Sequence, residues 1–224
     1  MDAKVKTAKK VEIKKPDSEL FLPGEVGAVL ELTVKRKDGS VREHRVLKSK
    51  SYVRQFLELL LVQMNMVSEA HPMSIRDTGN NIREVAFSSF TFGCNAPIGD
   101  PVYGLVVGTA TTAPTIDDHA LWAQIAHGTG VGEIQYGDVA FGLPTATGTE
   151  SHFTVTRDFS NASGATITVN EIALYVRALG SQPGNYYSRD SIWVFMTIRD
   201  VIAGGIDVLN GETLTVNYRQ QATV

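Results

Sequence analysis

The residue types that do chemistry are present but scattered. The five histidines fall at positions 44, 71, 119, 127 and 152, and only His119 and His127 lie near each other. Their spacing matches no common zinc motif. Asp117-Asp118-His119 puts hard ligands side by side, as a divalent ion would need, but capping of a helix accounts for the two aspartates without an ion. Gly128-Thr129-Gly130-Val131-Gly132 has the glycine density of a phosphate-cradling loop. It lacks the P-loop lysine and follows a predicted helix instead of joining a strand to one, so it reads as a turn. The chain has no Gly-x-Ser-x-Gly elbow and no His-Glu-x-x-His pair, and its single cysteine, Cys94, has neither a disulfide partner nor an evident activating neighbour. The expectation is a chain that is not an enzyme and uses no catalytic residue, cofactor or metal.

Other side chains point to contact. Phe153, Val155, Arg157 and Phe159 share one parity of a predicted strand, which sets a guanidinium among apolar neighbours and calls for a partner. Glu171 or Asp200 could supply it, so a buried Arg157–Glu171 ion pair is expected. Trp122, Trp193, Tyr186 and Tyr187 are candidates for a surface on which a saccharide could stack. Trp193 and Phe195 alternate on a predicted strand and read as core, whereas Tyr186-Tyr187 follow a Gln-Pro-Gly-Asn loop and read as surface. Asn161-Ala162-Ser163 fits the glycosylation sequon, a triplet that arises often by chance.

The elements that would position these residues are mostly strands. The first sixteen residues carry Lys4, Lys6, Lys9, Lys10, Lys14 and Lys15 with almost no apolar content, so residues 1–16 read as an extended basic arm. Alternating apolar residues flank Asp38-Gly39, a dipeptide suited to a tight hairpin. Ser51 is a candidate N-cap for a helix whose Phe56, Leu57, Leu60, Leu61 and Met64 recur at helical spacing, and this stripe, with Met66, reads as a packed face. Short strands flank Asp77–Asn81, an apolar run covers Val102–Val107, and Asp117 or Asp118 would cap a short second helix through Ile125, with Gly128 placed for a left-handed C-cap. Strand follows strand thereafter, with a bulge expected near Asn170-Glu171 where the apolar parity changes. Asn210-Gly211 is the strongest hairpin signal. The predicted fold is mainly β: an antiparallel β-sandwich or jelly-roll-like domain over 17–224, with a hairpin-plus-helix subregion at 17–72 and the sandwich core at 73–224.

Bulk properties narrow the partners. A net charge of −3 with a pI near 6.0 gives no global basic field, so nucleic acid is not expected except through the arm. No apolar run approaches the length of a membrane span, and the basic N-terminus lacks a signal peptide's apolar stretch, so no membrane role is expected.

Several stretches together resemble structural proteins of tailed-bacteriophage virions. They include SYVRQFLELLLVQM from Ser51, IRDTGNNIREV from Ile75, YGLVVGTATTAPTIDDHALWAQIAHGTGVGEIQY from Tyr103, FTVTRDFSNASGATITVNEIALYV from Phe153 and IRDVIAGGIDVLNGETLTVNYR from Ile198. The resemblance implies a β-sandwich subunit around a tail, neck or fibre attachment, made in the host cytoplasm and carried in the virion. Its partners would be copies of itself, in a ring or other homo-oligomer, and neighbouring virion proteins. It transfers no catalytic residue. The competing expectations are a carbohydrate- or receptor-binding sandwich at a fibre or baseplate, and a capsid decoration protein.

Overall fold

The computed structural model describes residues 26–49, 52–65, 71–87, 92–183 and 191–224. The six arm lysines, Ser51, Met66 and the Tyr186-Tyr187 pair lie outside the described residues. In chain order the strands are β1 (Val26–Lys35), β2 (Val41–Ser49), β3 (Met73–Arg76), β4 (Ile82–Val85), β5 (Gly104–Gly108), β6 (Gln135–Phe141), β7 (Thr145–Thr147), β8 (Glu150–Ser160), β9 (Ile167–Ser181), β10 (Ser191–Val208) and β11 (Thr213–Thr223), with helix α1 (Arg54–Met64) between β2 and β3.

All strand pairs are antiparallel and form two sheets. One runs β2-β1-β11-β8-β6, with β7 also on β8; the other runs β10-β9-β4-β3, with β5 also on β9. The first hairpin therefore shares a sheet with the last strand. Period-two alternation sends Leu30 and Leu32, Val216 and Tyr218, and Val155 and Phe159 into one core with Leu105, Val107, Ile172 and Ile198 of the second sheet. Strand β9 is buried on both faces from Glu171 to Val176, because the segment after β5 folds over its far side and Leu121 N donates to Tyr175 Oη at 2.6 Å.

The Asp38-Gly39 hairpin joins β1 to β2 as expected, with Gly39 at φ +82° and Ser40 N donating to Asp38 Oδ1 at 2.9 Å. Asn210-Gly211 does not make a hairpin. Gly211 takes the positive φ of a tight turn, +86°, but β10 belongs to the second sheet and β11 to the first, so the turn carries the chain between sheets. It docks on the arch between β8 and β9, which crosses the other way. Asn161 N donates to Glu212 O at 2.9 Å, Gly211 N to Asn161 O at 2.7 Å, and Gly164 N to Asn210 Oδ1 at 2.9 Å. Asn161 is buried and its amide donates to Ala165 O and Val208 O, so the sequon asparagine is part of the packing.

Three further expectations are corrected. No second helix starts at Asp117 or Asp118: this segment is a chain of turns, in which Asp118 accepts from Thr115 N and Thr115 Oγ1, both at 2.9 Å. The N-cap of α1 is Val53, which makes no side-chain cap bond. The irregularity expected in β9 lies mainly in its partner: Val201 and Ile206 of β10 pair with Glu171 and Val169, so Ile202–Gly205 bulge opposite Asn170 alone. Gly204 and Gly205, at φ +75° and +61°, make that excursion possible.

Candidate interaction surface

The buried charges hold the two sheets and their covering segments together. Arg157 is fully buried, as its place among apolar neighbours implied, but its partner is not Glu171 or Asp200. Its five N–H groups meet five backbone carbonyls: Nε donates to Gly137 O at 2.8 Å, Nη1 to Tyr103 O at 3.1 Å and Leu105 O at 2.9 Å, and Nη2 to Pro97 O at 3.2 Å and Asp100 O at 2.6 Å. One side chain thereby ties β8 to β6, to β5 of the other sheet and to the loop that leads into β5. Burial draws its pKa down, opposed by the field of Tyr136, over whose ring the guanidinium sits at 4.9 Å, and by Asp100.

Glu171 instead receives Arg199 Nε at 3.0 Å and Nη2 at 2.9 Å, while Arg199 Nη1 donates to Asp118 Oδ2 at 2.8 Å and Nη2 also to Thr112 O. The remaining Glu171 oxygen accepts from Ala123 N at 2.8 Å. Burial would raise the Asp118 carboxyl, but the Thr115 hydrogen bonds and the Arg199 guanidinium hold it below the usual aspartate range. Asp200 accepts from Tyr218 Oη at 2.6 Å, and burial, followed by the Asp200 charge, pushes that phenol well above its ordinary pKa. Asp117 pairs with Arg54. Two of the three candidate ligands at 117–119 are thus engaged by arginines, and no group of three or more His, Cys, Asp or Glu gathers at a metal-sized site among the described residues. In the 128–132 turn, Glu133 occupies the place of an anion: Gly130 N donates to its Oε2 at 2.8 Å.

The surface around α1 is different. The buried face of this helix is Gln55, Leu59 and Val62, not the predicted stripe. Phe56 and Leu60 are half-buried and line a groove of about 580 Å³ between the open ends of the two sheets, together with Phe92, Cys94, Phe153 and Val176. Burial pushes the Cys94 thiol up to about 11. Leu57, Leu61 and Met64, one turn apart on the outer face, are 63%, 50% and 76% exposed. The helix therefore carries apolar residues on its inner and outer sides, and the outer side faces solvent.

Its N-terminal end borders a second, polar cleft of about 540 Å³, lined by Arg54, Glu58, Arg76, Asp117, His119 and Trp122. Burial raises the Glu58 carboxyl there, against the opposing field of Arg54. Trp122 is 65% exposed at this cleft, while Trp193 packs against the core under the Arg83 guanidinium and donates from Nε1 to Gly180 O at 3.1 Å. Of the aromatics the sequence singled out, Trp122 is therefore the one presented to solvent among the described residues. The outer stripe of α1 was legible as apolar spacing, but its exposure was not. No helix of the described residues is long and apolar enough to cross a membrane. Compared with known protein families, curated proteins and solved structures, the chain matches none.

Proposed function

We propose that the chain is a structural subunit of a tailed-phage virion, in the tail, neck or connector region, acting by homo-oligomeric assembly and contact with neighbouring virion proteins. The observation that carries the reading is the outer face of α1. An apolar helix face is normally covered, and here Leu57, Leu61 and Met64, on the side of α1 away from its buried residues, are left for another chain. Ile116 extends the same surface: it is 56% exposed and its carbonyl accepts from Arg54 N, at the helix start, at 2.9 Å. Exposed apolar surface that is contiguous and placed on a rigid element marks a protein interface. The jelly-roll or sandwich form of the fold and its internal use of the buried charges fit a part whose task is mechanical continuity.

Light scattering with negative-stain imaging tests it. Multimers or rings are expected, and Leu57→Glu with Leu61→Glu should reduce them to monomers with an unchanged circular-dichroism spectrum. A wild-type chain that stays monomeric at high concentration would remove self-assembly from the reading.

The exposed Trp122 favours a second reading, a carbohydrate- or receptor-binding sandwich at a fibre or baseplate. Its ring beside Arg54, Glu58 and His119 has the apolar-plus-polar character that a sugar face needs. Trp122→Ala would then abolish glycan retention and leave particle mass unchanged.

A further inference from the structure

We propose that the polar cleft at the start of α1 binds a neutral saccharide, and that Gln55, on the floor of the cleft, is the specificity-determining residue that accepts a hydrogen bond from a sugar hydroxyl. It rests on the carbohydrate reading of Trp122, to which it adds the charge class of the sugar and the residue that reads it.

Three elements build the cleft. The start of α1 supplies Arg54, Gln55 and Glu58, β3 supplies Arg76, and the turns between β5 and β6 supply Asp117 and Trp122. Its volume of about 540 Å³ falls within the range of small-molecule sites, about 300–1,000 Å³.

Gln55 is out of keeping with its position. It occupies the buried side of the helix, one turn before Leu59 and two before Val62, where spacing calls for an apolar residue. Only 2% of it is exposed, and its Oε1 is buried without a hydrogen-bond partner among the described residues. An acceptor left in this state carries its full desolvation penalty, and native proteins seldom tolerate one. A methionine or leucine would fill the same place without that penalty. An acceptor kept there, in the lining of a cleft, points to a donor that arrives from outside the chain.

The charges around it select the kind of donor. Arg54 and Arg76 stand against Glu58 and Asp117, with Arg54 and Asp117 paired to each other, and Asp118 is held by Arg199. An ionised ligand would give up its hydration here and meet no net counter-charge. A hydroxyl both donates and accepts, so a neutral sugar finds partners in guanidinium, carboxylate and the Gln55 carbonyl alike. Trp122, 65% exposed, offers a flat apolar surface to the C–H face of the ring.

Saturation-transfer NMR on the full chain tests this with methyl glycosides at millimolar concentration. The neutral set is the glucoside, galactoside, mannoside and N-acetylglucosaminide; the anionic set is the glucuronide and the N-acetylneuraminide. At least one neutral probe should give a saturable signal that Trp122→Ala abolishes, and the anionic probes should bind more weakly or not at all. Gln55→Met keeps the shape of the side chain and removes the acceptor. It should weaken the bound probe several-fold to about tenfold, as the loss of one neutral hydrogen bond does, and leave the thermal midpoint unchanged or higher. A glutamine that served packing alone would give the reverse, a lower midpoint with unchanged affinity. On the wild-type chain, one monodeoxy derivative of the bound probe should lose affinity by the same factor, a measurement that does not depend on the variant folding. Preference for the anionic probes, or a Trp122-dependent signal that neither Gln55→Met nor any monodeoxy derivative weakens, would overturn the proposal and leave the carbohydrate reading standing. Saturation by none of the probes would remove both.

Discussion

Arg199 and Glu171 meet diagonally across the β9–β10 ladder, where Arg199 pairs with Ala173 and Glu171 with Val201, and the guanidinium donates twice to one carboxylate oxygen, at 3.0 and 2.9 Å, with both side chains fully buried. The pair also anchors the segment that covers β9, through Asp118 and Ala123 N. Removing the guanidinium leaves two buried carboxylates, Glu171 and Asp118, without their cation. Arg199→Met is expected to cost about 3–5 kcal/mol in urea unfolding. Arg199→Met together with Glu171→Leu and Asp118→Asn should recover much of that loss, because neither carboxylate charge is then left buried and unpaired. If the triple variant is as unstable as the single one, the network contributes more than charge compensation.

Arg157 makes a different prediction, since its partners are carbonyls. Arg157→Met strands five acceptors and is expected to cost at least about 3 kcal/mol. Lysine has three N–H groups and no fork, so Arg157→Lys should recover part of the stability, not all. Full rescue by lysine, measured by the urea midpoint, would mean that the charge matters and the five-way geometry does not.

These two arginines also show how far the sequence reaches. Alternation along β8 placed Arg157 among apolar neighbours and so required a partner, but backbone carbonyls of a loop leave no trace in residue types. Residue types suggest a carboxylate, but Glu171 is committed to Arg199. The Asp38-Gly39 hairpin was readable because its partner strands adjoin it in sequence. Asn210-Gly211 was not: a turn dipeptide fixes the reversal of the chain, while sheet membership is decided by β1 and β8, far away in sequence, which take both edges of β11. In α1 apolar residues lie on two opposite sides, so spacing could establish a helix without saying that Gln55, Leu59 and Val62 would be the buried side. The tyrosine pair and the lysine arm fall outside the described residues, and of the two tryptophans it is Trp122 that the fold places, exposed, at a cleft.

The β10 bulge yields a paired glycine test. A Cβ at Gly204 meets open space, so Gly204→Ala is expected to cost only the left-handed backbone strain, about 1–2 kcal/mol. At Gly205 the added atom would lie 2.3 Å from Asn170 Oδ1 and 2.7 Å from Thr168 Cγ2, and Asn170 is itself held by donating to Thr109 O at 2.7 Å. Gly205→Ala should therefore lose clearly more stability than Gly204→Ala. Equal losses in thermal unfolding would show that Asn170 moves aside freely and that the bulge is not pinned by it.

Acid should weaken the chain in part through Asp118. Its folded pKa is held below the unfolded value of about 3.9 by the Thr115 hydrogen bonds and the Arg199 guanidinium, which outweigh the opposing effect of burial. A depressed carboxyl contributes stability that is fully present above the unfolded pKa and is lost as pH falls from there through the folded pKa, because the unfolded chain takes up the proton first. Asp118→Asn removes that proton uptake. The variant should be less stable than wild type at pH 7, and its urea midpoint should fall less steeply between about pH 5 and pH 2. Glu31 and Asp38 are also held low, but both chains share them, so they cancel in the comparison. Parallel acid limbs in the two proteins would mean that the Arg199 network does not depend on the Asp118 charge, and that Glu171 alone compensates the buried guanidinium.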